Sequence, residues 1–376
     1  MSEQELKLLG EAEAAASPQQ PWQALVLIGE KINQEIERLT TLKLGEGQRR
    51  RSFIAHPRAR APGNGLAPGI DVSLNVLLPG ESWVPRRDNT HQIAFAIRGC
   101  GAYRVSDRRM TFEKLDAWNI PSMTTYAYEN VGDSVAVFLS YSDGPLLRQL
   151  GIYHAEEQAE FPSSVEKVAP AASEAPSPRQ LAVNEPIGDR GARVIGYEFL
   201  IDIDVVASEP LQWPWAAVSR HLDGVEHLGG PRGRGYTGRH LVVLYNPATE
   251  RRNGTTHWGF ASIAQLPAGR IDIPHRHTSA AINYIIAGSG SSTVSGRRFS
   301  WNSGDIMLSA PGWVIHNHAT ETGATVLTVQ DHPLQIAMES LLWQETLRGP
   351  IVKLGVERGI QTNLRGVTLQ EAGSHA

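Results

Sequence analysis

Residues 269–318 read GRIDIPHRHTSAAINYIIAGSGSSTVSGRRFSWNSGDIMLSAPGWVIHNH. His275 and His277 stand at i and i+2, which in a strand puts both imidazoles on one face. Gly304-Asp305 marks a turn, the strand-like run IMLSAP follows, and His316 and His318 form a second pair with the same spacing. Four histidines within 44 residues, in two strand-spaced pairs separated by hairpin signals, can bring three imidazoles to one point inside a barrel. Imidazole nitrogen suits iron, zinc, nickel and copper, and three neutral ligands leave coordination positions for substrate or oxygen. A lone histidine would be read as a core or surface residue. The repeated spacing beside Ile and Val argues for a metal site instead.

The chain also carries an internal register. A shift of 189 residues lays Gly80 on Gly269, Pro85 on Pro274, Gly99 on Gly288, Gly101 on Gly290 and Asp116 on Asp305. Pro121 meets Pro311 after a one-residue adjustment. Turn residues kept in step over so long a span point to two similar barrels. The same register places Arg86 at His275 and Asp88 at His277 and, after the one-residue adjustment, Tyr126 or its immediate neighbour at His316 and Tyr128 at His318. Arg, Asp and Tyr do not make a transition-metal site. Arg86 and Asp88 are expected to form an ion pair or hydrogen-bond network instead, and His91 to be a polar strand or loop residue.

HRHTSAAINYIIAGSG together with PGWVIHNH resembles the cupin superfamily, and within it the bicupin dioxygenases that cleave gentisate and salicylate. The resemblance covers roughly residues 50–150 and 240–345. Many cupins carry a Glu shortly after the HxH, whereas the gentisate type uses three histidines on Fe(II). Here too no Glu or Asp lies between His277 and Gly288. The resemblance implies an all-β bicupin, two double-stranded β-helix (jelly-roll) barrels with peripheral helices. It implies Fe(II) on His275, His277 and His316, O2 as co-substrate, and a small hydroxy-aromatic acid as substrate. In the gentisate type the N-terminal barrel carries the iron; in this chain the pattern is reversed.

Three further residues enter through the resemblance. His318 is the candidate beside the triad, able to shuttle a proton or bind a substrate oxygen. The family's WHDH is matched by WVIHNH with Trp313 displaced, so Trp313 is either a pocket wall or packing beneath the barrel mouth. Related enzymes read HRHTQSALRF, whose arginine helps bind an acidic substrate, and the matching residue here is Asn283. A neutral amide in place of a bidentate cation argues for a carboxylate held elsewhere, or for a neutral amide, nitro, amino or keto group.

Composition bounds the alternatives. The 35 basic and 39 acidic residues among 376 give no basic excess that would indicate nucleic acid. The chain exceeds the usual single-domain size, and its 36 glycines and 23 prolines suit many short strands. A single cysteine, Cys100, excludes an intramolecular disulfide framework. The first twenty residues are acidic and lack an apolar h-region, so a cytoplasmic protein is expected.

The chain divides into residues 1–50 as arm and helix, 51–151 as a first cupin without metal ligands, and 152–238 as linker and connecting elements. A metal-binding cupin over 239–333 and a closing helix and tail over 334–376 complete it. Residues 1–20 are expected as a short helix or disordered arm, Trp22 to Leu42 as one partly amphipathic helix, and Ser163–Gln180 as a linker. Trp213 and Trp215 are expected to cap the second barrel. Ile336, Met338 and Leu342 are expected to pack a helix over LQIAMESLLWQETL. Asp305 reads as a turn former, Arg297 and Arg298 as exposed, and Asp331-His332 as a turn by comparison with SYSDGP. Extra helices at both ends suit a homo-oligomer, dimer or tetramer. An Fe(II) dioxygenase stands first, a metal-dependent lyase, isomerase or hydrolase second, and a non-catalytic binding bicupin third.

Overall fold

The computed structural model describes residues 22–45, 47–161, 178–181, 183–187, 190–200, 208–224, 240–357 and 367–368. Across them the chain is mostly antiparallel β-sheet with few helices, consistent with a cupin-like architecture. In the N-terminal half, one sheet contains Asp71–Leu77, Gln92–Arg98, Ala117–Ile120 and Ala136–Ser142, and a second contains Arg86–Asp88, Gly101–Val105, Arg108–Phe112 and Tyr126–Glu129. The C-terminal half is built around the long strand Ala280–Val294, which pairs with Ile306–Pro311, His316–Thr320 and Ala324–Gln330.

Strands such as Asp71–Leu77 and Ala136–Ser142 are buried throughout rather than on alternate residues. Their period-2 alternation sorts side chains into two different cores. Ile93 and Phe95 join Leu139 and Tyr141 in a cluster that also takes Ile263, Ile282 and Val329 of the C-terminal half. Ala94 and Ala96 turn the other way, onto Trp118, Tyr128 and Phe138. The two halves therefore share one core between them, and each keeps an interior of its own. In the N-terminal half that interior is filled by stacked aromatics, with Tyr103 and Phe112 lying 5.1 and 4.8 Å from Trp118.

The internal register is structural. Gly99 and Gly288 both hold positive φ, 68° and 82°, at matching turns. At Gly101 and Gly290 a Cβ would come within 2.6 Å of the Phe112 ring and 2.3 Å of the Trp301 ring, so both strands need glycine for close packing. Asp116 and Asp305 serve as the turn reading expects: each takes a nearby backbone N–H, from Glu113 and Asn302, at 3.0 and 2.8 Å. Each also accepts a distant N–H at 2.7 Å, Trp215 for Asp116 and Gly29 for Asp305.

Several local expectations are corrected. Trp22–Leu42 is not one helix: Leu25–Leu27 is a strand paired with Ile306–Leu308, and the helix runs only over Gly29–Thr41. Pairing on an edge strand of the C-terminal sheet outweighs the helical pattern of these three residues. Trp213 is paired with Ala117, so its strand extends a sheet of the N-terminal half rather than capping the second. The closing helix spans only His332–Ala337; Met338 is exposed, and Leu342–Gln344 is a strand on Arg276–His277. Ile336 does pack inward. Arg297 and Arg298 are exposed. The arm at 1–20 and nearly all of the 163–180 linker lie outside the described residues.

Candidate metal centre

His275 and His316 face each other across an isolated antiparallel bridge, with reciprocal backbone hydrogen bonds of 3.1 and 2.9 Å. His277, two residues on, lies on the same face, and the ligand atoms of His275, His277 and His316 all fall within 4.8 Å of one another. All three side chains are buried. Each Nδ1 lies 3.0 Å from a backbone carbonyl, those of Ile273, Ser279 and Val314 respectively. A carbonyl oxygen can only accept, so Nδ1 carries the proton and Nε2 keeps the lone pair. Burial, and then the neighbouring imidazoles His316, His332 and His275, hold the His277 pKa well below the ordinary value, so the ring is neutral. Three orientation-locked nitrogen donors with no carboxylate in the cluster fit a borderline divalent transition metal.

Trp343 backs the cluster. Its ring stacks on His277 at 5.0 Å and on His275 at 5.4 Å, and its indole N–H donates to Glu345 at 2.8 Å. Strand pairing of Trp343 with His277 puts it there.

The triad opens on a cavity of about 190 Å³ whose walls include Phe260, Leu266, Ile285, Met307 and Val326. An apolar cavity of about 150 Å³ accepts benzene, so one substituted ring fits. Asn283 lines it, as its inward register between Ile282 and Tyr284 requires, but both ends of its amide are engaged. Nδ2 donates to Ser309 and Oδ1 accepts from Thr328, each at 2.7 Å. His318 also lines the cavity and is hydrogen-bonded through Nδ1 to Ser292 at 2.7 Å; it stands outside the triad, 5.9 Å from the His316 ring. Trp313 is not brought to the cavity: the Arg276 guanidinium covers its ring at 4.4 Å, on the face of the strand opposite the ligands.

Two cavity residues were not singled out for it by the sequence. His332 is buried, with both ring nitrogens lacking a hydrogen-bond partner among the described residues, and it stands edge-on to His277 at 5.4 Å. Burial pushes its pKa down to about 3, so it is a neutral donor and acceptor. Its neighbour Asp331 does act as a turn residue, accepting the Ala280 N–H at 2.8 Å ahead of a short helix. Arg252 lines the cavity from the 3-10 segment Pro247–Arg252, hydrogen-bonded to His257 at 3.2 Å and paired with no carboxylate among the described residues. Neither position could be placed from spacing, since both come from turns far from the histidine motifs.

In the N-terminal half the corresponding positions carry no such centre. Arg86 and Asp88 form the expected ion pair at 3.0 Å, and the Tyr126 hydroxyl lies 3.3 Å from Asp88. His91 is half-buried, with its backbone N–H on Asp143 at 3.0 Å.

The family model for AraC-like ligand binding domains matches residues 259–368. The chain is 26% identical over 280 residues to a 1-hydroxy-2-naphthoate 1,2-dioxygenase of Nocardioides sp. (strain KP7), covering 73% of this chain and 65% of that one. It is 25% identical over 272 residues to a 5-aminosalicylate 1,2-dioxygenase of Comamonas sp, covering 70% and 66%. The matched region thus spans just under two thirds of these curated relatives. Among solved structures, a salicylate 1,2-dioxygenase from Pseudaminobacter salicylatoxidans superimposes with a TM-score of 0.69 at 18% identity, over 90% of this chain and 91% of that one, which shows a shared fold. The chain is thus similar in sequence to 1-hydroxy-2-naphthoate and 5-aminosalicylate 1,2-dioxygenases and in fold to a salicylate 1,2-dioxygenase, and its histidine cluster lies in the C-terminal half.

Proposed function

We propose that the protein is a mononuclear non-haem Fe(II) dioxygenase that cleaves the ring of a substituted hydroxy-aromatic acid with O2. The observation that carries this is the triad itself: three buried imidazoles, each locked by an Nδ1–carbonyl bond, at the wall of a cavity sized for one ring. In this reading residues 51–151 and 239–333 are two jelly-roll cupin units, and only the second holds iron, on His275, His277 and His316. Bound there, iron would supply the electron transfer that lets O2 react with an electron-rich ring.

The chain's own residues do the rest. Phe260, Ile285, Met307 and Val326 exclude water and take the ring face. Arg252 supplies the carboxylate partner that Asn283 cannot, because the amide is already spent on Ser309 and Thr328. His332, with both nitrogens uncommitted, is placed to hydrogen-bond a ring substituent. His318, tied to Ser292, can hold or return a proton beside the centre. Cytoplasmic placement and a dimer or tetramer belong to the same proposal through the resemblance, and light scattering tests the latter.

The relatives act by name on 1-hydroxy-2-naphthoate and 5-aminosalicylate, and a neutral His332 suits the amino or hydroxyl substituents such acids carry. The test is anaerobic purification with metal analysis, then oxygen uptake across salicylate, gentisate, 5-aminosalicylate and 1-hydroxy-2-naphthoate. Iron near one per chain with uptake on one of these, lost in His277→Ala, is expected. Iron without uptake on any of them would move the protein to other cupin chemistry, and failure to hold metal would leave a ligand-binding bicupin.

A further inference from the structure

The N-terminal half has lost its metal ligands and packed its interior with aromatics, yet it keeps an open cleft of about 550 Å³ at the matching end. Asp71, Arg86, Asp88 and Gln92 line it, and each stands 189 residues before a residue lining the C-terminal cavity: Phe260, His275, His277 and Ala281. The mouth has been kept and its chemistry replaced. Four arginines now line it, Arg49, Arg51, Arg86 and Arg148.

Pairing accounts for three of them. Arg86 bridges Asp88 at 3.0 Å and Glu157 at 3.1 Å, Arg49 shares Glu157 at 2.7 Å, and Arg148 reaches Asp71 at 3.3 Å. Arg51 pairs with no carboxylate among the described residues. Its guanidinium donates to the Ser73 hydroxyl at 3.0 Å and lies over the Phe53 ring at 4.6 Å, while its Nε–H is buried without a hydrogen-bond partner. Among the described residues, these four guanidinium groups stand against three carboxylates, Asp71, Asp88 and Glu157, and Arg51 is the one with no carboxylate at ion-pair distance, although Asp71 and Glu157 both feel its charge. Beside it, Phe53 is 48% exposed and Leu42 36%, an apolar wall next to the Arg51 guanidinium. A buried donor without a partner is destabilising, and an oxyanion in the cleft would relieve it.

We propose that this cleft is a second ligand site, binding a small aromatic carboxylate with its carboxylate on Arg51 and its ring against Phe53, Leu42 and Leu44. The site is independent of the triad and of any metal bound there.

The test uses the full-length protein and 4-bromobenzoate. Calorimetry should show a binding event that persists in His277→Ala, is weakened at least about tenfold in Arg51→Gln, and is only partly restored by Arg51→Lys, which keeps the charge and loses the fork. Anomalous scattering from crystals should place bromine between Phe53 and Leu44. Affinity unchanged in both Arg51 variants would overturn the proposal, as would bromine in the C-terminal cavity alone. Density without heat in solution, which is binding at crystal concentration only, would overturn it too. Displacement by inorganic phosphate at equal or lower concentration would overturn the carboxylate assignment in favour of a phosphate site.

Discussion

Trp343 lies stacked on His277, ring centroids 5.0 Å apart and planes 13° from parallel. One residue comes from the motif that defines the centre; the other lies 66 positions later, on a strand after the short helix His332–Ala337. The indole holds two of the three imidazoles of the cluster in place, because it also stacks on His275. Trp343→Ala is expected to leave the triad present but loose, lowering metal affinity about 10–100-fold, as loss of a residue that orients ligands does. Metal-buffered titration of the purified variant measures it. Undiminished affinity would show that strand pairing alone orients His277.

Arg252 is the one guanidinium at the cavity that faces no carboxylate among the described residues. Arg252→Gln is expected to raise KM for an aromatic acid by about 10–100-fold, a charged hydrogen bond being worth roughly 1.5–3 kcal/mol, with kcat changed less. Steady-state oxygen uptake separates the two constants. A drop in kcat at constant KM would remove Arg252 from carboxylate binding.

His332 has two uncommitted nitrogens in a buried site. His332→Phe fills similar space without them. It is expected to preserve or raise thermal stability, since no hydrogen bond is lost, while reducing kcat/KM most for substrates with a polar ring substituent. The ratio of kcat/KM between 5-aminosalicylate and salicylate is the readout, and an unchanged ratio would assign His332 to packing.

Asp331 carries a carboxyl whose pKa burial pushes up to about 6, partly offset by the Ala280 N–H it accepts. The folded value lies above the ordinary 3.8. Its contribution to stability is therefore fully present below pH ~4 and is lost as pH rises through about 6. Asp331→Asn keeps an acceptor for Ala280 and removes the ionisation. The variant should gain on wild type by on the order of 2–3 kcal/mol between pH 4 and 8. Denaturant melts of both proteins at pH 4, 6 and 8 check the sign.

Much of the centre is legible in the sequence because strands translate spacing into geometry. His275 and His277 at i and i+2 must share a face, and the 189-residue register already shows that Arg86 and Asp88 replace them in the first half. Glycines at 101 and 290 mark where an aromatic ring lies against the backbone in each half. Short-range pattern misleads where pairing with a distant strand decides conformation. Leu25–Leu27 reads as helix yet adds to the Ile306–Leu308 edge, and Leu342–Gln344 reads as helix yet completes a sheet beside the ligands.

The sequence by itself therefore determines the all-β fold class, the two related halves and which half keeps the histidines. Those are properties of period and spacing. Only the tertiary structure decides which three of the histidines converge and what surrounds them: Trp343 behind the rings, His332 and Arg252 in the cavity, Asn283 held by Ser309 and Thr328, and Arg51 set over Phe53 in the N-terminal cleft with no ion-pair partner among the described residues. Each depends on chain segments far apart in sequence meeting at one place, and no local pattern encodes which donor or cation is left without a partner.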